Sequence, residues 1–252
     1  MKELFVRGEN LPETYHRALV ALHDEGEIVD CSDWNTTCRE ASMTIVVEHP
    51  LAEPMISKCF IGGTIELQQY MMEMLDGILD FEIERGNWEY TYHDRMTNYN
   101  GSIDQLKFVV EELKRNPSSR RASVLVRDAR DIGSEDPACL QHMQFFIRGG
   151  KLDCIVLFRS NDAAKASYMN AFALIMIQKR IADELGVEVG QYVHRANSYH
   201  CYERDFESLE RYVSRIKSDP EGCVSDYEDD WKDMMDEAIP EIMAKVEELR
   251  NR

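Results

Sequence analysis

The 252-residue chain is short of several things that would have settled its class at once. No apolar run approaches the roughly 20 residues that a bilayer-spanning helix needs, so no membrane partner is expected. The opening residues, Met1-Lys2-Glu3-Leu4, do not form the apolar stretch of a secretory signal. Seven cysteines are present without paired spacing: no Cys-x-x-Cys occurs, and Cys31 and Cys38 are too far apart for a short zinc knuckle. A reduced, cytoplasmic protein is the expectation. Positive charge is scarce, with 29 Lys and Arg against 47 Asp and Glu and a formal net charge of −18. That balance opposes non-specific nucleic-acid binding, which needs a basic surface to replace phosphate counterions. It leaves room for a small anionic ligand held by a local cluster of arginines. Proline and glycine are sparse and scattered, and no repeat or low-complexity linker divides the chain.

What is present suffices for a substantial core, since 44% of residues are hydrophobic. A helix is predicted after Pro12, with Ala18, Leu19 and Leu22 on one side and a stop near Gly26. Thr44 to Glu48 is β-branched and reads as a strand. Ile65 to Leu79 and Asp104 to Arg115 read as helices, the second ended by Asn116-Pro117. Ser123 to Val126 is a short strand. Met143 to Arg148 and Leu152 to Phe158 form a hairpin across Gly149-Gly150. Asn170 to Leu185 is a long apolar helix stopped by Gly186, and a further strand opens at Gln191. Strands and helices interleave without a regular βαβ rhythm. An α+β fold is expected, with one large mixed, mainly antiparallel sheet and helices packed against it. Residues 1–216 are assigned to one catalytic domain and 217–252 to an acidic, solvated helical extension.

Four clusters can carry chemistry. Cys139 follows Asp136-Pro137-Ala138 and precedes an apolar run. A lone cysteine is usually a buried structural one, and a reactive thiol needs a positive neighbour. Arg159-Ser160-Asn161-Asp162 ends the second hairpin strand, which brings position 159 back towards Cys139. A guanidinium there can stabilise a thiolate or hold a phosphate. Arg120 and Arg121 follow Asn116-Pro117-Ser118-Ser119; alone, they would pass for a solvated basic turn. His200 and Tyr202 share one face of a strand and can hydrogen-bond sugar hydroxyls. His194 and His200 are six residues apart, with no carboxylate or thiol completing a ligand set, so no metal is expected.

Taken together, Pro137-Ala138-Cys139, Gln144-Phe145, Gly150-Lys151-Leu152, Arg159-Ser160-Asn161-Asp162, Asn170 and His200-Cys201-Tyr202 resemble thymidylate synthase. The spacing from Cys139 to Asn170 matches that family without a gap, and Asn116 to Arg121 resembles its phosphate-binding double arginine. The segment Tyr90-Thr91-Tyr92-His93-Asp94-Arg95 looks most like the archaeal, methanogen-type branch. The resemblance implies a thymidylate-synthase-like fold in which Cys139 attacks C6 of a pyrimidine nucleotide. It implies dUMP as substrate, dTMP as product and a methylene-carrying reduced pterin, folate or tetrahydromethanopterin, as co-substrate. It places Arg159 and Ser160 at the 5′-phosphate, with Arg39 as a second phosphate arginine and Arg120 and Arg121 reaching it from the other half of a homodimer. His200 and Tyr202 would hold the ribose, Gln144 would support the nucleophile, and Asp162 would contact the pterin. Asn170 would read the uracil edge, where the related deoxycytidylate hydroxymethylases carry Asp. The family's early-helix glutamate falls on Glu73 or, one helical turn away, on Tyr70.

The match has departures. Leu140 stands where many members have His, Ala163-Ala164-Lys165-Ala166 lacks the usual Gly, and the closing residues Glu247 to Arg252 are charged rather than apolar. A product trapped by water, a 5-hydroxymethyl nucleotide, is the nearest rival. A non-catalytic nucleotide-binding protein is a more distant one.

Overall fold

Along Lys151–Phe158, alternate residues Leu152, Cys154, Val156 and Phe158 are fully buried, the period of two that places one strand face on a core. The computed structural model describes residues 1–252. In chain order the elements are β1 (Glu3–Gly8), α1 (Leu11–Glu25), β2 (Glu27–Cys31), β3 (Thr36–Val47), β4 (Ile56–Ser57), α2 (Thr64–Asp76), α3 (Phe81–Glu84) and α4 (Tyr92–Thr97). There follow α5 (Gln105–Arg115), β5 (Ser123–Leu125), β6 (Leu140–Arg148), β7 (Lys151–Phe158), β8 (Asn161–Asp162), α6 (Ser167–Leu185), β9 (Glu188–Tyr202), α7 (Phe206–Ser218), β10 (Val224–Ser225) and α8 (Lys232–Arg250).

Eight strands form one mixed sheet in the order β1-β3-β9-β7-β6-β5, with β2 added to β3 and β8 to β9. β1–β3, β7–β9 and β8–β9 are parallel, and the other ladders are antiparallel. Helices α1 and α6 pack against the sheet, which makes this an α+β fold. Helix α6 is almost wholly buried, and Phe145, Phe158 and Phe172 are completely enclosed. Burying one such side chain stabilises the fold by about 1.5–3 kcal/mol.

Local signals set most boundaries. Asn10 caps α1 by accepting the Glu13 N–H, and Asp104 caps α5 by accepting the Lys107 N–H. Gly149 and Gly150 take φ of 57° and 80° and close the β6–β7 hairpin. Helix α2 ends at Asp76, three residues earlier than the apolar pattern suggests. Gly77 there adopts φ of 63°, and a Cβ on it would lie 2.2 Å from His93 Nδ1. β3 extends well beyond Thr44, back to Thr36, because it pairs on both sides, with β2 and β9. Residues 217–252 contribute β10, paired with β4, and α8, which packs on α2. Ala238, Ile242 and Val246 of α8 join Met72, Ile78 and Leu79 in a small separate apolar cluster.

Candidate active site

The hairpin places the thiol. The Arg159 N–H donates to the Cys139 carbonyl at 2.8 Å, so the end of β7 lies beside the start of β6. The β6–β7 register shifts between Leu140 and His142, leaving Gln141 as an extra residue next to the cysteine. The Gln141 amide donates to the Ala138 carbonyl at 2.6 Å and braces this bend. Arg159 fixes the other side. Its Nη2 donates to the Pro137 carbonyl at 2.6 Å, its Nε to the Ala138 carbonyl at 3.2 Å, and its Nη1 to Ser160 Oγ at 3.2 Å. Ser160 Oγ, which already accepts from Arg159, keeps its own hydrogen to direct at Cys139 Sγ, 3.6 Å away. One N–H on each of Nη1 and Nη2 stays free for an oxyanion.

Cys139 is half-buried at the wall of a cavity of about 360 Å³. Ser160, Asn161, Asp162, Asn170, His200 and Tyr202 line the same cavity, together with Tyr70 and Tyr92. Strand β9 supplies His200 and Tyr202, their rings edge-to-face at 4.8 Å. Ser198 Oγ donates to Glu40 and lies 3.3 Å from His200 Nδ1, which orients that ring. The first turn of α6 supplies Asn170. Its Oδ1 accepts from Asn161 Nδ2 at 2.8 Å, and its Nδ2 donates to the Tyr70 hydroxyl oxygen. Asp162 Oδ1 accepts the N–H groups of Ala164 and Lys165 at 3.1 and 3.0 Å. Burial pushes the Asp162 carboxyl above the usual range, against those two N–H bonds.

Helix α2 brings both early-helix candidates near but to different places. Tyr70 faces the thiol cavity, and burial holds its hydroxyl well above the usual tyrosine range. Glu73 faces an adjoining cavity of about 500 Å³ that shares Tyr70 and Tyr92 as its partition. Burial raises the Glu73 carboxyl, opposed by the Gln69 amide that donates to it at 2.9 Å. Trp88, Tyr90, Glu89, Asp80, Glu135 and Asp136 complete that second cavity.

Other expected residues lie outside the cavity. Arg39 donates to the His23 carbonyl at 2.8 Å, and its guanidinium sits 5.8 Å from the centre of the Phe206 ring. Arg120 and Arg121 are both exposed on the loop before β5. Gln144 donates to the Arg120 carbonyl at 2.9 Å, three residues beyond Gln141. The residues that sequence reasoning passed over are chiefly Tyr92 and Asn161. The Tyr92 hydroxyl accepts the Leu140 N–H at 3.3 Å, and its helix α4 is anchored by buried Arg95 on Asp131 at 2.6 Å. The Tyr90 to Arg95 run was the available signal for Tyr92. Nothing in the sequence ties Asn161 to His194 across the sheet.

Comparison with known proteins agrees with this geometry. Residues 63–240, well over half of the chain, match the family described as thymidylate synthase. A candidate thymidylate synthase of Methanocaldococcus jannaschii is 30% identical over 221 residues, covering 83% of this chain and 96% of the relative. One from Methanothermobacter thermautotrophicus is 33% identical over 208 residues, covering 76% and 90%. One from Methanosarcina mazei is 28% identical over 214 residues, covering 84% and 95%. With Cys139, Asn170, His200 and Tyr202 around one cavity and a family match across most of its length, the chain belongs to the thymidylate synthase family.

Proposed function

We propose that the protein converts dUMP to dTMP, with Cys139 as the nucleophile at C6 of the ring. The observation that carries this reading is the shared cavity, in which a thiol and an amide with a spare donor and acceptor face the same space. The Cys139 thiolate forms the bond to C6, and the displaced electron pair moves to C5, which becomes the nucleophile for the one-carbon unit. Ser160 and the two free N–H groups of Arg159 take the 5′-phosphate. His200 and Tyr202 take the sugar. Asn170 donates to O4 and accepts from N3–H, so it holds the ring flat against the thiol and stabilises charge on O4 as C5 is activated. Tyr70, rather than Glu73, is the α2 residue at the base. Its oxygen accepts from Asn170, so its hydrogen is free to order water near O4. C5 gives up its proton to water in the cavity, and expulsion of the thiolate at the end restores the ring.

The second cavity suits a pterin. Trp88 and Tyr90 offer faces for a flat heterocycle, and Glu73, Asp80 and Asp136 can accept from its amino edge. When bound there, a methylene-carrying reduced pterin would supply both the one-carbon unit and the hydride that takes it to the methyl level. The shared partition of Tyr70 and Tyr92 brings its reactive end towards the nucleotide. Asp162, which lines the thiol cavity, contacts the same group in this reading. In this reading Arg120 and Arg121 serve the phosphate of a second subunit, which makes the working form a homodimer.

The deciding experiment incubates the protein with dUMP and either methylene-tetrahydrofolate or methylene-tetrahydromethanopterin and reads the product mass. A gain of a methyl group supports the proposal. A 5-hydroxymethyl product assigns the chain to the water-trapping reaction instead. Nucleotide binding without any product under either donor refutes both.

A further inference from the structure

The Asn170 amide does not choose its own orientation. Behind it runs a single file of buried polar groups. The Tyr192 hydroxyl is 3.0 Å from His194 Nδ1, His194 Nε2 is 3.0 Å from Asn161 Oδ1, and Asn161 Nδ2 donates to Asn170 Oδ1 at 2.8 Å. Asn170 Nδ2 then donates to Tyr70. Tyr192, His194, Asn161 and Asn170 are 0, 1, 4 and 6% exposed, so water does not interrupt the file. The His194 ring is stacked on Phe158 at 4.7 Å and 13° and cannot swing away. Burial pushes its imidazole down to about 3, so it stays neutral, with one N–H and one lone pair. Each link therefore has a direction: Tyr192 donates to His194, His194 to Asn161, Asn161 to Asn170 and Asn170 to Tyr70. Turning Asn170 alone would set its NH2 against the NH2 of Asn161, two donors face to face.

We propose that Asn161, His194 and Tyr192 are positioning residues that lock the Asn170 amide in the orientation selecting uracil over cytosine. The inference rests on the pyrimidine-nucleotide reading of the cavity. After its two internal bonds, Asn170 keeps one lone pair on Oδ1 and one N–H on Nδ2. Uracil offers N3–H and O4, which match that pair. Cytosine offers the reverse, an N3 acceptor and an amino donor, which match only the turned amide. Discrimination thus rests on His194 and Tyr192, which lie behind the cavity wall, acting through Asn161 and Asn170, which line it, and it holds because an unmatched buried polar pair is costly.

The test measures dUMP and dCMP binding to the full chain by calorimetry. Asn161→Asp replaces the donating amide with a carboxylate that can only accept, so Asn170 must turn its NH2 towards it. The dUMP-to-dCMP affinity ratio should fall by at least about tenfold, towards cytosine. His194→Phe keeps the stacking and deletes the donor to Asn161, so the ratio should move towards unity. His194→Gln, which restores an N–H, should recover it in part. If Asn161→Asp does not fold, Tyr192→Phe removes only the hydroxyl that donates to the histidine, and it should lower the ratio about threefold. Folded variants that keep the wild-type ratio overturn the lock. A wild-type chain that binds neither nucleotide overturns the pyrimidine reading, and the lock with it.

Discussion

Replacing Arg159 by lysine keeps the charge and removes the fork. The guanidinium donates to two backbone carbonyls in the turn before Cys139 and to the Ser160 hydroxyl that faces the sulfur. A lysine ammonium is a single point on a flexible stem and can satisfy one of these three sites. Two charge-assisted bonds are lost. Buried examples are each worth about 1.5–3 kcal/mol, and Arg159 is only partly buried, so a loss of about 2–3 kcal/mol is expected. For a domain of this size that lowers Tm by about 5–10 °C. The Cys139 segment loosens at the same time and the phosphate clamp is lost. Alkylation of Cys139 by iodoacetamide should therefore lose its protection by dUMP, and the apparent KM for dUMP should rise. Differential scanning calorimetry and mass-resolved alkylation of the full chain measure both effects. If Arg159→Lys melts within about 1 °C of wild type and dUMP still protects Cys139, the guanidinium does not hold the nucleophile in place.

Cys139→Ser should abolish turnover and leave dUMP binding measurable by calorimetry, since the sulfur is needed for the bond to C6 and not for the other contacts. Asn170→Asp should move base preference towards cytosine, read as the ratio of kcat/KM for the two nucleotides; an unchanged ratio would remove Asn170 from base reading. Arg120→Ala and Arg121→Ala should raise KM for dUMP, and mixing either with Cys139→Ser should restore part of the activity if the arginines cross a subunit boundary. Glu73→Gln should gain stability over wild type as pH rises above 4.5, the ordinary value for a glutamate. A buried carboxyl whose value is raised keeps its proton in the fold after the unfolded chain has released it. Wild-type stability therefore falls as pH climbs through that window, and the amide variant escapes the fall. Parallel urea titrations at pH 4.5 and 8 would show whether the gap opens in that direction.

The gathering of residues around the thiol cavity was legible because they sit on regular elements with strong local signals. Gly149-Gly150 announced the hairpin, and the hairpin carries Arg159 and Ser160 back to Cys139. Asn170 came into place with α6, whose pattern is long and apolar, and His200 and Tyr202 with β9, which opens at Gln191 in the pattern and runs on to Tyr202. The orientation of a side chain on a strand paired on both sides was not legible. Arg39 looks like any polar residue of a strand, and only the packing of α7 on β9 brings Phe206 up against it. The choice between Tyr70 and Glu73 was also closed to sequence reasoning. They lie close to one turn apart on α2, and which cavity each enters depends on how that helix is rolled against α6. Asn161 and His194 are 33 residues apart, and parallel pairing of β8 and β7 with β9 brings them together.

The docking of α8 on α2 links the last helix to one wall of the thiol cavity, because α2 carries Tyr70. Tyr70 and the Met72 that α8 covers are two residues apart on the same helix, and Arg85 clasps the carbonyls of Leu249 and Arg250 at the far end of α8. A bulky fusion that pried this last helix loose would let α2 roll, and the first group to feel it would be the tyrosine that touches Asn170. The acidic tail is thereby tied to the helix that carries Tyr70.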